Sequence, residues 1–424
     1  MRREIVPSRG IQYGNNVSTP TPIKFGLVDP IRTSTSFFEE LTARGIAFAS
    51  IESGNVGALD KAPGDVLRAT ATIGEMADQV RRAGITHIVG CVDPSIVYAD
   101  ALCAQVGLPF NGLHKSEARR DKAKMARMVA DAGLRVPLQF ESDNLQAIQA
   151  WARDTGFPVV VKPVESGGSD NVHLCADADA VAVAFAAICG HRNLMGAMNR
   201  SALVQEYVDG DEYVVDFVSY AGKHVPVDCF RYQKGPHNGR AFIYEKEFYL
   251  PATDPIARRA FDFASQALDA LDFRIGASHT ELKIDSRGDI VFIEVGPRLS
   301  GGDTHKLVRD LRADGRSQVE FTVDAFLSAP APPVDFVSHA HAIRVYLIAE
   351  REGVLTALRN LDAIERLPSF RRISLHVEVG QNVKLTHDLS GDAGWIDLVN
   401  ADWEALRRDE MELDLIKGDV LHFD

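Results

Sequence analysis

Cysteine is scarce in this chain: Cys91, Cys103, Cys175, Cys189 and Cys229 are the only five in 424 residues. The count is odd and no C-x-x-C spacing occurs, which excludes a disulfide framework and a structural zinc site. The thiols are left as small, buried apolar side chains. Long hydrophobic runs are also missing, since no window approaches the roughly 18 apolar residues of a membrane span. No membrane partner is expected. Positive charge is in deficit, with 46 Lys and Arg against 59 Asp and Glu and a net charge of −13. A nucleic-acid surface needs a clustered excess of basic side chains, so no nucleic-acid partner is expected either. An anionic ligand would have to be held by local chemistry. The first strand is not followed by G-x-G-x-x-G, which argues against dinucleotide binding. The opening residues begin basic but have no apolar core, so residues 1–22 read as a flexible polar segment and not a signal peptide, and a cytoplasmic location is expected.

What is present is ordinary for a folded protein: 46% hydrophobic and 25% charged residues. The length suits two or three domains, because single cores stop growing at roughly 250 to 300 residues. Residues 23–115 alternate strand and helix patterns ("IKFGLVD", "TSFFEELTARG", "IAFASIE", "THIVGCVD") and predict a small parallel-sheet domain. Helices follow around 122–133 and 143–155, then the strand "PVVVKP". From 203 to 295, longer alternating stretches such as "EYVVDFVSY" and "DIVFIEVG" predict an antiparallel sheet. "APAPPVD" at 329–335 reads as a linker, and 331–424 as a further α+β part. His339 and His341 have no acid or thiol cluster beside them and read as structural.

Four features follow one another in an order that means more than any one of them. Lys122 stands near the start of a helix. Lys162 ends a valine-rich strand and opens at once into Ser166-Gly167-Gly168-Ser169, a flexible loop with free amides beside an ammonium, suited to phosphate. "VQEYVDGDEYVVD" then carries Gln205 and Glu206 before a tight Asp209-Gly210 turn. Finally "HTELKIDSRGDIVFIEVGPRLSGG" sets Glu281 and Glu294 on two strands joined by a short turn. Glu294 lies among apolar residues, where a lone carboxylate is costly to bury. Two such carboxylates on neighbouring antiparallel strands can hold Mg²⁺ together with phosphate oxygens. Arg298, four residues on, offers a rigid fork for a phosphate or carboxylate. His279, two before Glu281, shares a strand face with it.

On these residues, namely Lys122, "VVVKP" with "ESGGSDNV", "LVQEYVDGDEYVVD", and "ELK" followed by "FIEVGPRLSGG", the chain resembles the ATP-grasp superfamily over about 23–330. Its cues "RRDK", "HTELK" and Arg-Leu-Ser-Gly-Gly are most similar to those of the L-amino-acid ligases. The resemblance implies an ATP-grasp fold, α/β and α+β in class, with central and ATP-binding parts over 116–330. It implies ATP and one or two Mg²⁺ ions, or Mn²⁺, as cofactors. It also implies small amino-acid-like carboxylate and amine substrates joined as an amide of dipeptide type through an acyl phosphate with release of ADP and phosphate, and admits a homodimer; another ATP-grasp ligase of small-molecule biosynthesis and a non-catalytic ATP-binding module are the alternative readings. It carries ATP to Lys122, Lys162, Ser166, Gly167, Gly168, Ser169, Gln205, Glu206, Tyr207, Val208 and Glu212, and the metal to Glu281 and Glu294. It carries catalysis to Arg298, Lys162 and His279, and substrate to His279, Arg298, Ser300, Gly301, Gly302 and His305. Gly296 departs from the superfamily's Glu-x-Asn-x-Arg, where the Asn helps hold a second metal.

Overall fold

The structure, a computed structural model, describes residues 22–31, 34–56, 59, 62 and 64–423. The expected flexible segment 1–22 lies, apart from its last residue, outside the described residues. The chain starts with β1 (Lys24–Val28), α1 (Thr35–Ala43), β2 (Ala47–Ile51), β3 (Asp65–Leu67), α2 (Ile73–Arg82), β4 (His87–Gly90) and α3 (Ile96–Val106). These strands form a parallel sheet in the order β3-β2-β1-β4, as the alternating pattern predicts. Only β3 escapes the pattern, because three residues cannot show a period. A capping box at Thr72 and Glu75 starts α2, and Gly107 in the left-handed region stops α3. The strand order reverses between β1 and β4, which opens a crevice at the carboxyl ends of those strands.

The second layer comprises α4 (Lys122–Asp131), β5 (Gln139–Ser142), α5 (Leu145–Thr155), β6 (Val159–Pro163), β7 (His173–Cys175), α6 (Ala178–Ile188) and β8 (Ala202–Glu206). Its four strands are antiparallel, in the order β5-β8-β6-β7. The three valines of β6 therefore lie at a sheet centre. Val159 and Val161 pack with Ile148, Val181 and Ile188 of α5 and α6, while Val160 and Lys162 point to the other face.

The third layer holds β9 (Asp211–Tyr220), β10 (Lys223–His237), β11 (Arg240–Tyr249), α7 (Pro255–Ala270), β12 (Gly276–Ile284), β13 (Ile290–Gly296), α8 (Thr304–Leu311) and α9 (Gln318–Phe326). After the 329–335 segment come β14 (His341–Leu347), β15 (Gly353–Leu358), α10 (Leu361–Glu365), β16 (Phe370–Leu375), β17 (Asn382–Val383), β18 (Gly394–Asn400), α11 (Trp403–Ile416) and β19 (Leu421–Phe423). One eight-stranded sheet runs β13-β12-β9-β10-β11-β14-β18-β16, so the chain beyond 335 extends the sheet that precedes it. One face is covered by the alanine-rich stripe of α7, against Phe217, Leu282 and Phe292. The other is covered in part by α8 and α9 through Leu307, Leu311 and Phe321. The uncovered remainder faces the second layer's sheet, and a cleft lies between them. All five cysteines are free thiols. Among the described residues no helix is long and apolar enough to cross a membrane.

Gly210 links β8 to β9 with φ +97°, and a Cβ added there would lie 2.1 Å from the Ile284 carbonyl oxygen. Gly210→Ala is expected to lower the thermal midpoint clearly. Left-handed backbone alone costs a non-glycine residue about 1–2 kcal/mol, and the backbone clash adds to it. Circular dichroism melts check this, and an unchanged midpoint would contradict the described turn.

Candidate active site

The cleft between the two sheets has a volume of about 830 Å³, counting the solvent at its mouth. The second layer contributes Val160, Lys162, Gln205 and the 166–170 loop; the third contributes Glu212, Lys234, Tyr244, Lys283 and the Glu281/Glu294 pair. Strand alternation answers why a valine strand ends in lysine. Lys162 shares the cleft face with Val160 while its valine neighbours fill the core. Behind Lys162 the chain turns through Gly168 (φ +66°) and Ser169 (φ +62°). The Ser166 hydroxyl donates to Asp170 at 2.7 Å, and the Leu194 amide donates to the same carboxylate at 2.8 Å. Lys122, first residue of α4, donates to the Ser166 carbonyl at 2.5 Å and lies 3.3 Å from Glu294.

Glu281 and Glu294 are direct cross-strand partners on β12 and β13, beside a bulge at Glu281/Leu282. Their side chains therefore share one face of the sheet. Burial, then the charge of Glu294, pushes Glu281 up to about 7. Burial would also raise Glu294, but Lys122 and Lys162 hold it below its usual value. Burial draws the Lys162 ammonium down, with Glu294 and Glu281 opposing and Lys122 adding to the fall. A compressed carboxylate pair of this kind fits a hard divalent cation. No cluster of three or more His, Cys, Asp or Glu side chains suited to a metal exists among the described residues. The fit is thus to a cation that takes its remaining ligands from phosphate and water.

Past Glu294 the cleft continues into a small charged extension lined by Asp93, Arg120, Lys122, Gly167, His279 and Arg298. The Arg298 Nε donates to Asp93 at 2.9 Å and its Nη1 to the Leu299 carbonyl at 2.9 Å. Burial would raise the Asp93 carboxyl, yet Arg298, Arg120 and Lys122 hold it at about 2. His279 pairs through Nδ1 with Asp216 at 2.7 Å, and its Nε2 stands 3.8 Å from Glu281. A Cβ on Gly296 would lie 3.4 Å from the Arg298 guanidinium and 3.5 Å from Asp93. The space an asparagine would need there is filled by that ion pair.

The nucleotide residues expected from the sequence all line the cleft: Lys122, Lys162, Ser166, Gly167, Gly168, Ser169, Gln205, Glu206, Tyr207, Val208 and Glu212. Internal bonds engage Gln205, which donates to Gln139 at 2.8 Å, and the Val208 carbonyl, which accepts from Lys283 at 3.0 Å, besides those of Lys122, Ser166 and Glu212. His279 and Arg298 meet in the extension. Ser300, Gly301, Gly302 and His305 line neither space. The Ser300 amide donates to Gln318 at 2.8 Å, the Gly302 carbonyl accepts from Arg344 at 2.5 Å, and His305 is buried, its pKa lowered to about 4. Sequence reasoning missed Asp93, Arg120 and Lys234. Lys234 is half-buried, 2.6 Å from Glu212 and 4.1 Å above the Tyr244 ring. It lies on the β10–β11 hairpin, which gives Lys234, Phe242 and Tyr244 to the cleft.

Residues 155–306 match the family model described as an ATP-grasp domain. The chain carries an ATP-grasp domain. It is 26% identical over 355 residues to dapdiamide A synthase of Enterobacter agglomerans, covering 82% of each chain. It is 23% identical over 218 residues to alanine–anticapsin ligase of Bacillus amyloliquefaciens, covering 47% of this chain and 45% of that one. The L-amino acid ligase from Bacillus licheniformis superposes with a TM-score of 0.74 at 19% identity, over 96% of this chain and 100% of the other. A carboxyaminoimidazole ribonucleotide synthase from Aspergillus clavatus superposes at 0.71 with 14% identity, over 94% and 99%. These likenesses establish the ATP-grasp fold. With ligases among the relatives by sequence, the protein is an ATP-grasp ligase of the ADP-forming, carbon–nitrogen bond-forming kind.

Below about 7, Glu281 carries a proton that a cation must displace; above it, both carboxylates are charged and available. Mg²⁺·ATP affinity is therefore expected to rise as pH climbs through about 7 and to level off above it, with proton release on binding. Calorimetry across that window checks this against Glu281→Gln, which should flatten the dependence. Parallel curves for the two proteins would contradict it.

Proposed function

We propose that this ATP-grasp ligase joins two amino-acid-like substrates, one through its carboxylate and one through its amine, giving a dipeptide-type amide by way of an acyl phosphate. The observation that carries the proposal is the placement of Arg298 and His279 directly beyond the carboxylate pair that ends the nucleotide cleft. Nucleotide binding alone has no use for a guanidinium and an imidazole on that side.

In the proposed reaction an oxygen of the substrate carboxylate attacks the γ-phosphorus of ATP, and ADP leaves with the bridging electron pair. The amine of the second substrate then attacks the acyl carbon, phosphate departs, and the amine gives up a proton. Lys122 and Lys162 hold the phosphates by charge-assisted contacts. Glu281 and Glu294 would hold Mg²⁺, which supplies charge neutralisation at the phosphates when bound. The 166–169 loop covers the phosphates and keeps water from the acyl phosphate. Arg298, fixed through Nε and Nη1, meets the negative charge that develops as the amine attacks. His279 is oriented by Asp216 toward the same space.

A phosphate-release screen over pairs of amino acids and small carboxylates, with product masses determined, tests the proposal. ADP and an amide should appear together; AMP with pyrophosphate would contradict it. Arg298→Ala is expected to lower turnover by about 10²- to 10³-fold with little change in ATP affinity, the range for loss of one donor to a developing charge. Turnover kept with ATP binding lost would make Arg298 a nucleotide clamp instead.

A further inference from the structure

A second cavity, of about 750 Å³ with the solvent at its mouth, lies on the far side of Arg298 from the nucleotide. It occupies the crevice where the parallel sheet of the first layer meets β12 and the loop after β13. Phe37, Val89, Ile96, Ala99, Leu299 and Phe326 give it an apolar wall. Most of its polar lining is already engaged within the protein. Asp100 accepts from Ser116 at 2.6 Å and from Arg119 at 2.9 Å. Asn111 accepts from the Arg274 and Ile275 amides at 2.7 and 2.8 Å and donates to the Ile275 carbonyl at 3.1 Å. The Thr322 hydroxyl donates to the Gln318 carbonyl at 2.6 Å.

Two polar groups on this wall are unspent, the Ser34 hydroxyl, buried without a partner, and the Arg298 guanidinium. Arg298 uses Nε and Nη1 within the protein, and its Nη2 has no acceptor among the described residues. A ligand entering here thus finds apolar surface, the neutral Ser34 hydroxyl, a single carboxylate, Asp100, whose charge is already paired with Arg119, and one cationic N–H at the boundary with the charged extension. Burying a charged or amide side chain against this wall would leave it without partners, at a cost of several kcal/mol for an ion. An apolar one gains from every contact.

We infer that this crevice is the side-chain pocket of the carboxylate-bearing substrate, and that the substrate is an amino acid or small acid with an apolar aliphatic or aromatic body. The inference rests on the ligase reading for its reaction but not for its binding. Its carboxylate sits at Arg298, within reach of the γ-phosphate end of the cleft, and its body points away from the nucleotide. Ala99 and Phe326 then set the depth of the pocket from opposite walls, Ala99 on α3 and Phe326 on α9.

Two readouts test this with the full chain. The first is calorimetric binding of 4-methylpentanoate and of glutarate in the presence of Mg²⁺ and a non-hydrolysable ATP analogue. The second is the side-chain preference for the carboxylate substrate in the ADP-release assay. The wild type is expected to bind 4-methylpentanoate at least tenfold more tightly than glutarate. Ala99→Leu should weaken 4-methylpentanoate, and Phe326→Ala should shift kcat/KM toward larger apolar side chains, each by about tenfold, the scale for one or two methylenes in a hydrophobic pocket. ATP affinity should be unchanged in both variants, and melting curves confirm that each is folded. Equal binding of the two acids, or opposite-wall variants that leave preference unmoved, would overturn the inference while the ligase reading stood. Selective 4-methylpentanoate binding that these variants alter, without ADP release from any pair, would support the pocket and sink the ligase reading.

Discussion

The structure turns on a like-charge contact: two half-buried carboxylates, Glu281 and Glu294, set opposite one another on adjacent strands. Left alone, such a pair is strongly unfavourable. The sheet tolerates it because cations reach it from elsewhere, Lys122 from the start of α4 and Lys162 from the opposing sheet. The balance is incomplete, since Glu281 remains pushed up to about 7. In the proposed reaction a divalent cation and a polyphosphate would supply the charges this pair lacks.

The third layer keeps this arrangement in register by an ordered row of polar side chains across its sheet. Following cross-strand partners gives Lys283, Glu212, Tyr232, Glu247, Arg344, Asp397 and Arg372, one per strand from β12 to β16. From Glu247 through Arg344 and Asp397 to Arg372 the charges alternate. Arg344 is fully buried, 2.7 Å from Asp397, and Tyr346 donates to Glu247 at 2.6 Å. Arg344 also holds the Gly302 carbonyl, and Gln318 holds the Ser300 amide. The loop that carries Arg298 is thereby tied at its far end to the strands beyond residue 335. Those strands do not line the nucleotide cleft, yet they fix the segment that bears its arginine.

The legible parts of the chain were those whose partners lie close in sequence or whose pattern is local. Lys162 stands out because a strand of valines leaves no packing role for it, and Glu281 with Glu294 because a short turn joins their strands. Asp93 gave no such cue: "CVDPS" reads as an ordinary turn before a helix, and its partner Arg298 is 205 positions away. Lys234 was hidden likewise, because in "RYQKGPH" it looks like a lysine near the end of a solvent-facing strand. Its burial follows only from the hairpin register that sets it against Tyr244 and from Glu212 on β9. Ser300 to Gly302 illustrate the reverse case, a Gly-rich sequence suited to a ligand whose backbone groups are spent on Gln318 and Arg344. Long-range pairing decided each of these, and composition and periodicity do not encode it.

The central claim is that the cleft's phosphoryl end and the Arg298 end act on one carboxylate. It is tested most directly by isotope transfer. A carboxylate substrate labelled with ¹⁸O in both oxygens, incubated with enzyme, Mg²⁺, ATP and an amine, should deliver one labelled oxygen to the released phosphate, because the acyl–oxygen bond breaks when the amine displaces phosphate. Label found in AMP, or phosphate released without label while amide accumulates, would contradict the acyl phosphate and with it this account of the site.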